Sequence, residues 1–414
     1  MPGNEQKKIL FISYDGMTDP LGQSQVIPYL KGLSKAGYSI FLLSCEKKEV
    51  FEQNRQTIQQ LLDADDIKWI PLSYTKKPPV ASTMLDVFKL KKAAQKIHRE
   101  NKIDMVHTRP GIPALVGLWM KKKMGVKFLN DIREFYANSR VDGGMWNTKT
   151  PVYRSIYDYF KRKEAEAVRI NDGIVCLTYA AENIIRDWKE YNAAIPMEVI
   201  PCSVDMNLFN PATITENEKI KLKAELNIKE NDLLVSYLGS IGGWYLTDEM
   251  MQFCKILISR IPAVKLLFIS PHRHDEITSL AEKYGIPAEK IMMKKANRLQ
   301  VPLLLSLSWY SVFFIKPCYS KQSSSPTKHG EIMAMGIPLI TNSGVGDVEM
   351  IVEKYQSGIV LKSFTDQDYN NAIDDMQVTG INQSNKIREA AKEFYALETA
   401  IEKYIRIYKR ILQQ

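Results

Sequence analysis

Short apolar runs alternate with amphipathic stretches along the whole chain. In the first half the apolar runs are residues 8–13 (KILFIS), 39–45 (SIFLLSC), 67–72 (IKWIPL), 104–108 (DMVHT), 126–132 (VKFLNDI), 173–178 (GIVCLT) and 197–201. Helical periods lie between them at 22–37, 83–102, 112–124 and 151–170. A strand covered on both faces reads as a continuous apolar run, and a helix between two such strands makes a parallel crossover. The pattern predicts a parallel sheet with helices on both faces. Periodicity stops at 201–211 (PCSVDMNLFNP), which carries a proline at each end, and resumes after a charged helical segment at 216–226. Apolar runs recur at 233–239, 264–270, 291–294, 301–307, 310–315, 338–341 and 358–361, with helical stretches at 248–259, 276–284, 326–335 and 348–353. The chain closes on a long amphipathic helical region, 384–412. We expect two doubly wound α/β domains, 1–205 and 206–395, with a hinge near 202–212 and ligands at the carboxyl ends of the strands.

Composition narrows the class. Of 414 residues, 45% are hydrophobic and 25% charged, which suits a globular protein and excludes disordered and fibrous ones. The longest apolar stretch, 301–315, is interrupted by three serines and falls short of the ~20 residues of a membrane span. The opening MPGNEQKKILFISYDG reaches Asp15 almost at once, so it reads as a strand and not as a signal peptide. Five scattered cysteines without a C-x-x-C pair argue against a disulfide framework or a zinc site and suit a reducing cytosol. Net charge is +9, and residues 1–205 hold 31 Lys and Arg against 24 Asp and Glu. A basic first half suggests an anionic partner: a phosphorylated small molecule, a membrane surface or nucleic acid.

The densest chemistry lies at 323–338 (SSSPTKHGEIMAMGIP). Ser325 suits an N-cap and Pro326 the first helical position, while Gly336 and Pro338 end the helix. A helix starting there follows the run at 310–315, so its N-terminus sits at a strand's carboxyl end. Free N–H groups, the positive end of the dipole and Lys328 make a phosphate site. Glu331, one turn deeper, is placed to accept from a diol such as a ribose. The same pattern also describes a well-capped helix with a solvated Lys and Glu.

The segment GEIMAMGIPLITNSGVGDVE (330–349) resembles the signature of retaining glycosyltransferases of the GT-B fold, the large group 1 (family 4) class. In that class two glutamates are separated by seven intervening residues, the second in an E-A-M-A-x-G-x-P context that residues 331–338 closely match. VIPCSVDMNLFNP (199–211) is similar to the family's interdomain segment. KILFISYDGMTDPLGQSQVIPYLKGLSKAGYSIFLL (8–43) is similar to its first βαβ, with Gly22 where a glycine-rich loop nears the donor phosphates. FYALETAIEKYIRIYKRIL (394–412) resembles the terminal helix that crosses back, which adds about 396–414 to the first domain. The resemblance implies a GT-B fold with two Rossmann-like domains facing a deep cleft, and Glu331 binding the ribose of a nucleotide-sugar donor.

Two departures shape the expected site. The first glutamate of the pair falls at Ser323, so Ser323, Ser324, Ser325 or a backbone amide takes the donor-sugar contact. The family's loop after the first strand of the second domain carries an Arg and a Lys that neutralise the diphosphate, and residues 240–247 contain neither. Lys328 is the leading replacement, with Lys316, Arg273, Lys294 and Lys295 as other cations on carboxyl-end loops. Ser240, Gly242, Gly243 and Thr327 complete the expected donor contacts, the two glycines offering backbone amides or only a tight turn.

In the first domain Asp131 ends the run at 126–132. It acts either as a base toward the acceptor hydroxyl or as a support for Arg133. Arg109 and Arg133 are expected to meet the acceptor, and His107 to be a buried structural residue. Two D-x-D tripeptides, at 63–65 and 366–368, sit in charged contexts and not after buried strands, and His272 with His274 lacks a third placed ligand, so no metal is expected. No G-x-x-x-x-G-K-[ST] or G-x-G-x-x-G occurs, which removes the main support for kinase and NAD readings. Lys89, Lys91, Lys92, Lys96 and Arg99 form either a solvated face or a dock for anionic lipid headgroups. Nucleic acid is not expected, for want of an aromatic–basic module.

The resemblance implies a metal-independent retaining glycosyltransferase without a cofactor. Its catalytic group is Asp131, Lys328 and Glu331. It acts on a saccharide or lipid-linked acceptor at the cytoplasmic membrane face, in bacterial polysaccharide or glycolipid assembly. The alternatives are a nucleotide-sugar epimerase on the same fold and a non-catalytic sugar-nucleotide-binding or scaffolding relative.

Overall fold

The apolar run at 8–13 becomes the first strand of a seven-stranded parallel sheet. The computed structural model describes residues 6–78, 80–378 and 383–413. They divide into two units, Met1–Pro201 with Leu397–Gln414, and Cys202–Ala396.

Unit 1 runs β1 (Lys8–Ser13), α1 (Pro20–Gln25), α2 (Ile27–Lys35), β2 (Ser39–Glu46), α3 (Lys48–Asp63), β3 (Lys68–Ser73), α4 (Ala81–Asn101), β4 (Met105–Thr108), α5 (Ile112–Met124), β5 (Lys127–Ile132), α6 (Tyr136–Asp142), α7 (Pro151–Ile170), β6 (Gly173–Cys176), α8 (Tyr179–Arg186) and β7 (Met197–Val199). Strand order is β3-β2-β1-β4-β5-β6-β7, all parallel. Ile9, Leu10, Ile40, Leu42, Met105, Val106, Phe128 and Leu129 are fully buried, as strands covered on both faces require.

Unit 2 runs α9 (Glu216–Glu225), β8 (Leu233–Leu238), α10 (Thr247–Arg260), β9 (Val264–Ile269), α11 (His274–Tyr284), β10 (Ile291–Lys294), α12 (Val301–Leu305), β11 (Tyr310–Val312), α13 (Thr327–Ala334), β12 (Leu339–Asn342), α14 (Val348–Tyr355), β13 (Gly358–Leu361), α15 (Asp366–Val378) and α16 (Ser384–Tyr395). Its six parallel strands lie in the order β10-β9-β8-β11-β12-β13. In each sheet chain order reverses once, between β1 and β4 and between β8 and β11, and ligands bind beyond the carboxyl ends of such strand pairs.

Three expectations change. The run at 310–315 is a strand only to Val312, because the side-chain amide of Asn342 takes over the backbone of Ile315, accepting its N–H at 2.8 Å and donating to its carbonyl at 2.9 Å. The helical region 384–412 is two helices, α16 and α17 (Leu397–Leu412), broken at Ala396 in an extended conformation. Next to the break the N–H of Val204 donates to the carbonyl of Tyr395 at 2.8 Å, which ends the α16 ladder. α17 then packs in unit 1, burying Ala400, Tyr404, Ile407, Tyr408 and Ile411 beside Tyr29, Tyr38 and Val175. Third, Gly22 lies inside α1 and not in a loop. A Cβ there would stand 2.2 Å from the carbonyl oxygen of Gly16, so the missing side chain lets α1 rest on the β1 loop.

Candidate functional site

The crevice of unit 2 is built by the loops that leave β8 and β11. After β8 the chain turns through Gly239 (φ 114°), Gly242 (φ 72°) and Gly243 (φ 66°). The Tyr237 hydroxyl donates to the Ser240 carbonyl, and the Gly242 N–H donates to Thr247 Oγ1 at 3.2 Å. The Gly242 amide is therefore engaged and not a bare donor, a correction to the expected phosphate contact. The two loops run against each other: Leu246 donates to the Phe314 carbonyl at 3.0 Å and Lys316 to that of Trp244 at 2.9 Å. Below them the β11 loop is tied to the β12 loop by Gln322, which donates to the Gly344 carbonyl at 3.1 Å.

Lys328, in the first turn of α13, enters this nest and is only 6% exposed. Its Nζ lies 3.8 Å from the Tyr245 ring centroid, 4.4 Å from that of Tyr237 and 5.7 Å from that of Phe313. It donates to the Tyr237 hydroxyl at 3.4 Å. A Cβ at Gly239 would stand 2.9 Å from this Nζ, so glycine is needed there for the backbone and for the lysine. Burial pushes the Lys328 ammonium down to about 7, against an upward pull from Glu331. Of the two readings the sequence left open for this lysine, phosphate ligand or solvated side chain, the solvated one fails: aromatic rings enclose it.

Glu331 is 7% exposed, and its Oε1 accepts from Arg298 Nη1 at 2.6 Å. Burial raises its pKa, and the Arg298 guanidinium opposes that rise. Arg298 was not among the expected residues. It follows β10, thirty-three positions before Glu331, and no local spacing links the two. His329 is a packing residue: it is fully buried, its Nδ1 lies 3.1 Å from the Tyr395 hydroxyl, and burial drives it down to about 3.

The other expected donor residues divide. Arg273 reaches the β8 loop and donates to the Ile241 carbonyl at 3.2 Å. Lys321, not expected, places its Nζ 3.8 Å from the Trp244 ring centroid. Lys316 and Lys295 are exposed. Lys294 is held by Glu225 of α9. Ser323 is fully buried and donates to the Ser320 carbonyl at 2.8 Å. Ser325 does not cap α13: Pro326 holds the N-cap position, the helix starts at Thr327, and Ser325 Oγ accepts the Cys202 N–H at 3.2 Å. That backbone amide outcompetes the helix end for the hydroxyl.

At the matching end of unit 1, Glu46 closes β2 and organises the β1 loop. Its carboxylate accepts from the N–H of Met17 at 2.7 Å and from the N–H and hydroxyl of Thr18 at 3.2 and 2.6 Å. Arg109 donates to the Gln25 carbonyl at 3.0 Å, with its Nε 3.8 Å from Asp15 Oδ2. Asp131 is 1% exposed; its Oδ2 accepts from the Tyr404 hydroxyl at 2.7 Å and lies 3.4 Å from Arg133 Nη1 and 3.5 Å from His107 Nε2. Burial would raise this carboxyl, but Arg133, His107 and Arg109 outweigh it and hold it at about 2. The His107 Nδ1 lies 2.8 Å from the Tyr408 hydroxyl, and burial lowers its pKa. Asp131 and His107 thus anchor α17. Among the described residues no three His, Cys, Asp or Glu side chains converge as a metal site needs, and no helix is long and apolar enough to cross a membrane.

Residues 218–394 match the family of glycosyl transferases group 1. The match spans nearly all of unit 2 and includes Arg298, Lys328 and Glu331. No curated protein matches the chain by sequence. Among solved structures, a glycosyltransferase from Rickettsia africae is similar at a TM-score of 0.73 and 17% identity, over 99% of this chain and 100% of that one. Anabaena HepE in complex with UDP gives 0.72 and 13%, over 97% and 99%. A sucrose-phosphate synthase from Thermosynechococcus elongatus gives 0.71 and 14%, over 99% and 100%. The likeness is one of fold: two parallel sheets with flanking helices, the GT-B fold of glycosyltransferases.

Proposed function

We propose that this protein is a retaining, metal-independent glycosyltransferase that moves a sugar from a nucleotide-sugar donor to an acceptor hydroxyl. The observation that carries the reading is the placement of two buried ionisable groups, Lys328 and Glu331, on successive turns of α13 at the point where unit 2 reverses its strand order. Lys328 faces the developing charge of the leaving diphosphate, aided by the N-terminus of α13 and, at the rim, by Arg273 and Lys321. Glu331 accepts from the ribose hydroxyls. Unit 1 takes the acceptor. There Asp131, held at about 2, is a poor base at neutral pH and serves to orient Arg133.

The acceptor is lipid-linked in this reading, in polysaccharide or glycolipid assembly at the cytoplasmic membrane face. The support is α4. Met84 and Phe88 are 69% and 63% exposed, with Leu85 beside them, and exposed Lys92, Lys96 and Arg99 follow on the same helix. Asp86, the sole acid between 81 and 99, is buried and hydrogen-bonded to Tyr14 and Thr75. An apolar tip followed by cations matches an anionic bilayer surface.

The test is thermal stability against UDP-, GDP-, ADP-, CMP- and dTDP-sugars without metal, in wild type and Glu331→Ala. Structures of Anabaena HepE with UDP and UDP-glucose make the UDP-sugars the first probes. A donor at a hundred times its Kd adds ~2.7 kcal/mol of stability. One nucleotide that stabilises wild type and fails with the variant supports the reading; no shift with any of them overturns it. One observation favours a binding protein without transfer, namely that Ser323 spends its hydroxyl on Ser320. That reading predicts donor binding with no hydrolysis or transfer on prolonged incubation.

A further inference from the structure

Arg298 stands outside the sequence signature, yet it makes the shortest contact to the buried carboxylate of the site. It belongs to the loop between β10 and α12. That loop is held in shape by Asn297 and Gln300: the Asn297 side chain accepts the N–H of Leu299 at 3.0 Å and of Gln300 at 3.2 Å, and the Gln300 side chain accepts the N–H of Asn297 at 3.0 Å. The guanidinium packs 5.3 Å from the ring centroid of the fully buried Phe209. From there it reaches Glu331 Oε1 at 2.6 Å. Among the described residues Glu331 Oε2 makes no hydrogen bond within the protein.

A long side chain with a third of its surface exposed has little reason to be ordered onto a buried carboxylate unless that carboxylate must be held. We propose that Arg298 is a positioning residue for ribose recognition: it clamps one oxygen of Glu331 and leaves the other to accept from the ribose diol of the nucleotide. This rests on the nucleotide-sugar reading and extends it to a residue that need not touch the donor. Two charges act on Glu331, Arg298 on the β10 loop and Lys328 on its own helix. Both oppose the upward push of burial, so removing Arg298 shifts Glu331 toward its protonated form. A protonated carboxyl is a weaker acceptor for hydroxyls.

The readout is ribose discrimination, the ratio of Kd for 2′-deoxy-UDP to Kd for UDP, measured by calorimetry at pH 6 and pH 8. Lys328 acts on both nucleotides alike and drops out of the ratio. In wild type the lost charged hydrogen bond makes the ratio about 10–100 at both pH values. In Arg298→Met the ratio falls at least ~5-fold at pH 6 and by less at pH 8, because loss of the guanidinium moves Glu331 toward its protonated form and higher pH opposes that. Arg298→Lys, which keeps a cation, retains most of the discrimination. If GDP or ADP binds in place of UDP, the same ratio is taken with that base. A wild-type ratio unchanged in Arg298→Met at both pH values overturns the inference alone, as does an equal loss for the ribose and deoxyribose forms. A wild type that binds none of the five nucleotides tested above overturns the nucleotide-sugar reading and the inference with it.

Discussion

Replacing Lys328 with methionine should stabilise the free protein and weaken donor binding, two effects of opposite sign from one side chain. An ordinary lysine titrates at 10.5, and burial among Tyr237, Tyr245 and Phe313 brings Lys328 down to about 7. Between those values the unfolded chain holds a proton that the folded chain does not. Folding stability therefore rises with pH across that window and is lowest below pH 7. At ~1.4 kcal/mol per pH unit, the protonation penalty is roughly 5 kcal/mol at pH 6 and about 2 kcal/mol at pH 9. The rings return about 1–2 kcal/mol of cation–π attraction that methionine forgoes. Methionine fills the same volume and suits the aromatic surroundings. At pH 9 the folded lysine is neutral and no cation–π attraction is lost, so the net expectation is a gain of order 3 kcal/mol at pH 6, smaller at pH 9 by about 1–2 kcal/mol.

Urea titrations of wild type and Lys328→Met at the two pH values measure that difference. The donor side is read by calorimetry in buffers of different ionisation enthalpy. A diphosphate beside Nζ favours the ammonium, so binding takes up a proton wherever the free lysine is neutral: about 0.9 proton at pH 8 and about 0.1 at pH 6. The variant should take up none, and should bind donor ~30-fold or more weakly. A stability difference that is the same at pH 6 and pH 9, or proton uptake that survives in the variant, refutes the reasoning.

Gly239→Ala combines a backbone at φ 114° with a Cβ 2.9 Å from Lys328 Nζ. It should destabilise unit 2 by ~1–3 kcal/mol and weaken donor binding by displacing the lysine, checked by denaturation and nucleotide titration. Asp131→Asn should lower stability at neutral pH by about 2 kcal/mol or more, because an ordinary 3.8 held at about 2 is a stabilising contribution present above pH 4 and lost as pH falls through about 2. An acid titration with an unchanged slope between pH 4 and 2, alongside lost turnover in a fully stable variant, would instead mark Asp131 as the base. Met84→Asp with Phe88→Asp should abolish sedimentation with vesicles containing phosphatidylglycerol while leaving nucleotide binding intact; unaltered sedimentation removes α4 from the membrane contact.

Much of the scaffold was legible because its elements are separated by strong punctuation. Both bounds of α5 and the starts of α7, β6 and β13 follow directly from Pro113, Pro151 and the glycines at 111, 125, 173 and 358. α3 escaped because its face to the core is thin: of its sixteen residues only Ile58 and Leu62 are buried. Boundaries failed where a distant polar group intervened, as Asn342 does at Ile315 and Cys202 at Ser325. The same distance hid half of the site. Lys328 and Glu331 announce themselves by local spacing, but Tyr237 lies ninety-one positions from Lys328 and Arg298 thirty-three from Glu331. Only the strand order brings them together.

That order also accounts for the loop after β8, which lacks the Arg and Lys that its resemblance led us to expect. Cations on such a loop would meet a diphosphate from the β8 side, partly solvated and screened. Here the β8 side supplies Gly239 and the rings of Tyr237 and Tyr245, which make room for Lys328 to arrive from α13. One ammonium in a water-poor nest acts at a lower effective dielectric than two at a surface, so the attraction per charge is larger. On the proposed reading the penalty is the depressed pKa of Lys328, borne by the free protein and relieved when the diphosphate arrives. The missing pair and the buried lysine would then be a single substitution of design, in which charge is strengthened by burial instead of by number. Restoring a cation to the β8 loop at Ser240 should accordingly recover part of the donor affinity of Lys328→Met and none of its proton uptake.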